Sequence, residues 1–104
     1  MRLFQFQQIE LIDKIIKVCC NYFSVSITDV KSKNRQARLV QCRKFIAYFG
    51  MRQGVSSVNI AMQINKDHAT QLYHNKFVEG KLFKSDERYC KYKQDITTKL
   101  EKLS

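Results

Sequence analysis

The sequence predicts an all-α fold, a small helical bundle built around a helix-turn-helix, and three observations carry that prediction. Apolar residues recur at spacings of three and four over several long stretches, the period of one helix face. The 104 residues contain no proline and only three glycines, Gly50, Gly54 and Gly80, so little breaks a helix. The stretch from Val55 to Glu79 reads as helix, short polar break, helix.

At this length the expectation is one domain over residues 1–104, with hydrophobic residues at 44%, enough for a modest core. Within it, residues 1–14 form an N-terminal helix extension, 55–79 the helix-turn-helix and 81–104 the closing helix.

The first helical segment spans Phe4 to Phe23, where Ile9, Ile12, Ile15 or Ile16, Cys19 and Phe23 make a stripe broad enough to be core. Leu3, Phe4 and Phe6 stand ahead of it, placed to cover the core's edge or a partner's surface. Ser24 or Ser26 breaks the pattern. Thr28 can cap a short helical turn that Ile27 and Val30 pin down. Lys31, Lys33, Arg35 and Arg38 then arrive in a connection between helices, a place suited to phosphate contact or to an arginine entering a minor groove.

From Ala37 to Gln53 a third segment puts Leu39, Cys42, Ile46 and Phe49 in register, widened by Phe45 and Tyr48, and predicts the bundle's centre. Gly50 and Gly54 bracket its end, where a C-terminal cap belongs.

In the helix-turn-helix, Val58, Ala61 and Ile64 share one face, and Leu72 and Val78 resume the pattern after the break. Ser56 or Ser57 can cap the first helix. Asn65 tolerates the left-handed conformation that ends it, and Asp67 can cap the second. A short helix, tight turn and second helix is the shape that presents a helix N-terminus to a DNA major groove, here with His68, Ala69, Thr70 and Gln71 at the reading end. Gly80 is expected to interrupt or end that helix. A last helix from Lys81 to Leu103 follows, with Ser85, Asp86 and Glu87 as its start signal and Tyr89, Tyr92, Ile96, Leu100 and Leu103 as its stripe. Most of this stripe is expected to be core that closes the bundle, while its terminal position and two tyrosines also suit a dimer contact.

Nineteen Lys and Arg against nine Asp and Glu give a formal net charge of +10, a field that gathers polyanions. Cys19, Cys20, Cys42 and Cys90 show no C-x-x-C pair and the two histidines no zinc spacing, which predicts reduced core thiols and no metal site. No apolar run approaches a membrane span and MRLFQFQQIE lacks a signal-peptide core, so a cytoplasmic protein without a membrane partner is expected.

From about Ile15 to Glu79 the order of these pieces resembles the C-terminal DNA-binding domain, domain IV, of the DnaA family of bacterial chromosomal replication initiators. NYFSVSITDVKSKNR is similar to that family's aromatic pair, V-x-x-x-D-L/V step and S-K-x-R. The helix carrying Arg43 follows at the family's distance, and SSVNIAMQINKDHATQL is similar to S-x-x-x-I-x-x-x-F, turn, D-H-[ST]-T. The resemblance implies a fold related to the Trp repressor and double-stranded DNA as partner. It implies that Asp67, His68 and Thr70, with Ala69 between them, meet bases in the major groove, and that Arg35 enters the minor groove. It further implies a backbone contact at Arg43, a base near the turn at Lys66, and Ser56 at the start of the scaffold helix.

The chemistry of these side chains suits those roles. Asp67 can accept from the exocyclic amine of cytosine, Thr70 can offer its methyl to thymine, and Arg35 suits a narrow, electronegative minor groove. Lys33, Arg38 and Lys44 would add salt-sensitive phosphate contacts beside Arg43, Ser56 and Lys66. Four departures leave the recognition sequence open: Ala69 replaces the first of the usual Ser/Thr pair, the Asn65-Lys66 turn is short, Val58 stands where proline is common, and Tyr73 and His74 enlarge the recognition helix.

The expected function is sequence-specific duplex binding at DnaA-box-like sites, with a role in replication initiation or its regulation. No G-x-x-x-x-G-K-[ST] occurs and 104 residues leave no room for an ATPase module, so no cofactor is expected. His68, His74, Cys42 and Cys90 form no recognisable nucleophile and base pair, and no enzyme is expected. Two alternatives remain: a transcription regulator from a phage or mobile element, or an interaction module binding a replication protein through Phe4, Phe6, Tyr89 and Tyr92. A monomer or weak homodimer is expected.

Overall fold

The computed structural model describes residues 3–103, and among these lie six helices and no strand: α1 (Gln5–Phe23), α2 (Ile27–Lys31), α3 (Ala37–Arg52), α4 (Ser57–Ile64), α5 (His68–Phe83) and α6 (Glu87–Lys102). Helix α3 is the axis of the bundle, packed between α1 and α5, because nearly every position from Phe45 to Gly50 is apolar or small and buried. Helix α1 buries Ile12, Ile15, Ile16, Cys19 and Phe23 as its periodicity predicts. The expected extension up to residue 14 is continuous with it, and residues 1 and 2 lie outside the described residues. Leu3 lies beside Gly54, whereas Phe4 and Phe6 stand in solvent.

Capping residues set most of the boundaries. Ser24 adopts the left-handed conformation (φ 56°) that ends α1. Ser26, rather than Thr28, caps α2: its Oγ accepts from Asp29 N at 3.0 Å, and Thr28 falls inside the helix. Ser56 caps α4 by accepting from Asn59 N at 3.2 Å. Asn65 turns left-handed (φ 57°) and Asp67 Oδ1 then accepts from Ala69 N at 3.1 Å, so the polar break has the anticipated geometry.

The last two helices depart from expectation. Gly80 neither interrupts nor ends α5, which runs on to Phe83. A lone helical glycine costs about 1 kcal/mol, and burial of Val78 with packing of Phe77 and Leu82 against the core outweighs it. The closing helix therefore begins at Glu87, after left-handed Ser85 (φ 59°), with Asp86 Oδ1 accepting from Tyr89 N at 3.2 Å. Gly50 lies inside α3, and only Gly54 (φ 93°) serves the turn beyond it.

Several side chains also face otherwise than the pattern suggests. Val58 and Leu72 are exposed, and Asn59 and Gln71 take the inward positions beside them. Asn59 is held there by the Gln5 and Gln8 amides of α1, at 2.7 to 3.0 Å, which fastens α4 to the N-terminal helix. Tyr89 is buried and Tyr92 is half-buried against the core, with ring centroids 5.6 and 5.7 Å from that of Phe45, which leaves them little surface for a dimer or partner contact. Leu103 lies past the helix and is exposed. Cys19, Cys20 and Cys42 are buried as predicted, but Cys90 is exposed.

Candidate nucleic-acid interface

The basic connection between α2 and α3 folds back beside the start of α5. A cleft of about 540 Å³ opens between them, lined by Lys33 and Arg35 from the connection, Arg43 from α3, and Lys66, Asp67 and Thr70 from the turn and helix beyond it. The structure thus brings the arginine expected in a minor groove together with Asp67 and Thr70, two of the residues expected in a major groove, although more than thirty positions separate Arg35 from Thr70 in sequence. Asp67, His68, Ala69 and Thr70 are exposed at the first turn of α5. His68 Nδ1 lies 3.4 Å from Asp67 Oδ1.

Each expected phosphate contact has its own surroundings. Lys33 is exposed at the mouth of the cleft, and Ser56 is exposed at the head of α4, where its hydroxyl is engaged as acceptor. Arg38 is exposed but lines a separate, open hollow of about 1000 Å³ between α1, α3 and α6, away from Arg35. Lys44 is turned along α5: its Nζ sits 3.8 Å from the centroid of the Phe77 ring, and burial together with nearby Lys81 lowers its pKa. That places it about 13 Å along the helix axis from His68, and the structure does not group it with the reading end.

Arg43 has surroundings least like those of an open phosphate contact. It is only 6% exposed, its Nε donates to Val30 O at 2.9 Å, and its Nη2 donates to the Asp29 and Ser32 carbonyls at 3.0 Å each. These carbonyls belong to the last turn of α2 and its cap; Asp29 O also accepts from Ser32 N at 3.1 Å, and the guanidinium adds donors to that helix end. Burial lowers the Arg43 pKa first, with Arg35 nearby adding to it. Lys66 is half-buried and its Nζ donates to the same Ser32 carbonyl; burial and the charges of Arg43, Arg35 and Lys33 push its pKa down.

Two further residues line the cleft from the inner face of α5. Gln71, placed by pattern at the reading end, is fully buried; its Nε2 donates to Asp67 O at 3.2 Å, so it braces the cap from beneath. His74 sits one turn further on, its pKa pushed down to about 4 by burial and then by Lys44 and Arg43. Their spacing with Val78, at 71, 74 and 78, is the helical signal that assigns them to the inner face.

Among the described residues no group of three or more His, Cys, Asp or Glu is placed to hold a metal ion, and no helix is long and apolar enough to cross a membrane.

Comparison with known proteins agrees with this architecture. Residues 12–78 match the bacterial dnaA protein helix-turn-helix family. The chain is 37% identical over 91 residues to the chromosomal replication initiator protein DnaA of Flavobacterium psychrophilum, covering 86% of this chain and 19% of that protein. It is 34% identical over 93 residues to the DnaA of Bacteroides thetaiotaomicron (88% of this chain, 20% of that protein), and 37% identical over 82 residues to that of Bacteroides fragilis (72% and 17%). The chain spans about a fifth of the length of these relatives. With its motifs, its fold and the match over residues 12–78 in agreement, the chain belongs to the bacterial DnaA helix-turn-helix family.

Proposed function

We propose that this protein binds double-stranded DNA and reads DnaA-box-like sites, acting in replication initiation or its regulation from the cytoplasm. In this reading the first turn of α5 enters the major groove with Asp67, His68, Ala69 and Thr70 at base edges, while Arg35 enters the adjacent minor groove. Lys33 and Ser56 meet phosphates on either side. The observation that carries the proposal is the shared cleft of Arg35 and Thr70, which also holds Lys33, Arg43 and Lys66 with Asp67 as its only carboxylate. A concave surface with that excess of positive charge suits a polyanion, and the exposed cap residues add the donors and acceptors that base edges require.

The reading needs no chemistry beyond binding, and nothing in the cleft pairs a nucleophile with a base. Exposed Phe4 and Phe6, at 70% and 63%, support a second contact, with a replication protein, at the far end of α1.

Alanine at Arg35 or at Thr70 tests the proposal, measured as duplex affinity on matched and mismatched sites. Each change is expected to lower affinity for the preferred site by about 1 to 3 kcal/mol and to relax discrimination at its own base pairs. Unchanged affinity and preference in both variants would refute it.

A further inference from the structure

The connection from Ser32 to Gln36 belongs to no helix, yet three hydrogen bonds shape it, two within it and one back to α2. Ser32 Oγ donates to Asp29 O at 2.6 Å, Asn34 N donates to Ser32 Oγ at 3.1 Å, and Gln36 N donates to Asn34 Oδ1 at 3.0 Å. What fixes this small frame to the rest of the molecule is cationic. Arg43 from α3 grips the Asp29, Val30 and Ser32 carbonyls, and Lys66 from the turn before α5 reaches the Ser32 carbonyl from the other side. Both cations therefore converge on one oxygen. Arg35 follows Ser32 by three residues, no more than about 10 Å of chain, and Lys66 directly precedes Asp67, the cap of α5.

We infer that Arg43 and Lys66 are positioning residues: through the Ser32 carbonyl they lock the Arg35 connection to the turn of the helix-turn-helix, so that both groove-reading elements meet DNA in one fixed spacing. An exposed lysine serving a phosphate would leave its ammonium free in solvent. Here the ammonium is half-buried and spent on a backbone oxygen among three like charges, a position that carbonyl dipoles stabilise and bulk water does not require. Arg43 is likewise committed on both Nε and Nη2 before any DNA arrives. The spacing of the two elements matters because pre-ordering them removes conformational entropy that binding would otherwise have to overcome.

This inference rests on the DNA-binding reading for its purpose, but the tie itself is testable without DNA. Backbone amide order parameters of Lys33 to Gln36 are to be compared in the wild-type protein, Lys66→Met and Arg43→Lys, the second variant keeping the charge while losing the planar fork. The wild-type connection is expected near the rigid value of about 0.85 and both variants below about 0.6, with α6 unchanged. Order parameters that stay at the wild-type level in both variants would overturn the tie.

On DNA, Lys66→Met is expected to weaken duplex binding about tenfold while the slope of log affinity against log salt stays at the wild-type value. Its preference at the base pairs met by Arg35 is expected to be lost. A slope shallower by about 0.9 with preference intact would make Lys66 a phosphate contact and overturn the inference. If the wild-type protein binds no duplex while the order parameters still fall, the functional reading fails and the tie stands as a property of the fold.

Discussion

Gly50 of α3 lies so close to Ile60 of α4 that a Cβ added to it would stand 2.8 Å from Ile60 Cδ1, and 3.0 Å from Ile12 Cδ1 of α1. Three helices meet at this point, and both isoleucines are fully buried. The close approach seats the scaffold helix of the helix-turn-helix on the centre of the bundle, which in turn sets where α5 lies. Gly50→Ala would gain about 1 kcal/mol of helix propensity but force two buried methyl groups to move, at a cost of about 1 to 3 kcal/mol. The expected result is a net destabilisation of about 1 kcal/mol in urea unfolding with an unchanged m-value. A variant at least as stable as the wild type would contradict this packing.

Gly80 provides the opposite case. No atom lies within 4 Å of a Cβ built there, and the residue sits in the interior of α5. Gly80→Ala is expected to stabilise the protein by about 0.5 to 1 kcal/mol, through helix propensity and a less disordered unfolded chain. A loss of stability would mean that α5 bends or ends at this position.

His74 makes stability depend on pH. Its folded pKa, pushed down to about 4, lies below the ordinary 6.5, so between those values the unfolded chain binds a proton that the folded chain does not. Stability therefore rises with pH across about 4 to 6.5, stays level above it, and falls on acidification through the same window. Allowing for the partial exposure of the ring, the effect is on the order of 1 to 2 kcal/mol. Urea unfolding of the wild type and His74→Gln at pH 4.5 and pH 7 measures it. The difference between the two proteins should shift with pH in that direction; parallel profiles would contradict the assignment.

The fold was legible wherever a local chemical signal decides the structure. Ser56, Asn65 and Asp67 announce the turn because capping and left-handed backbone are properties of the residue and its immediate neighbours. Gly80 was misread because the same residue that punctuates a helix is tolerated inside one when flanking apolar contacts hold it. The α6 stripe was legible as core, but periodicity identifies a face and not what covers it, so a dimer or partner contact stayed open for its tyrosines; the ring of Phe45 packs against both.

The interface was legible as a set of charges but not as a division of labour. Lys33, Arg35, Arg43 and Lys66 look alike in sequence, all cations near a turn or connection. What separates them is the end of α2 and its cap, whose carbonyls accept from Arg43 and Lys66, while Lys33 and Arg35 stay exposed. That difference depends on how the connection folds back over α3, which no spacing of residues encodes. Gln71 was placed at the reading end because it sits in the first turn of α5, although its spacing with His74 and Val78 carries the signal of the buried face.

The central claim, that this domain reads base sequence, is tested most directly by affinity for a duplex carrying a DnaA box against a scrambled duplex of equal composition, each at low and at physiological salt. The account predicts a preference of tenfold or more, about 1.4 kcal/mol, that persists as salt rises, because base contacts do not depend on released counterions as phosphate contacts do. Equal affinities for the two duplexes, collapsing together as salt rises, would contradict it.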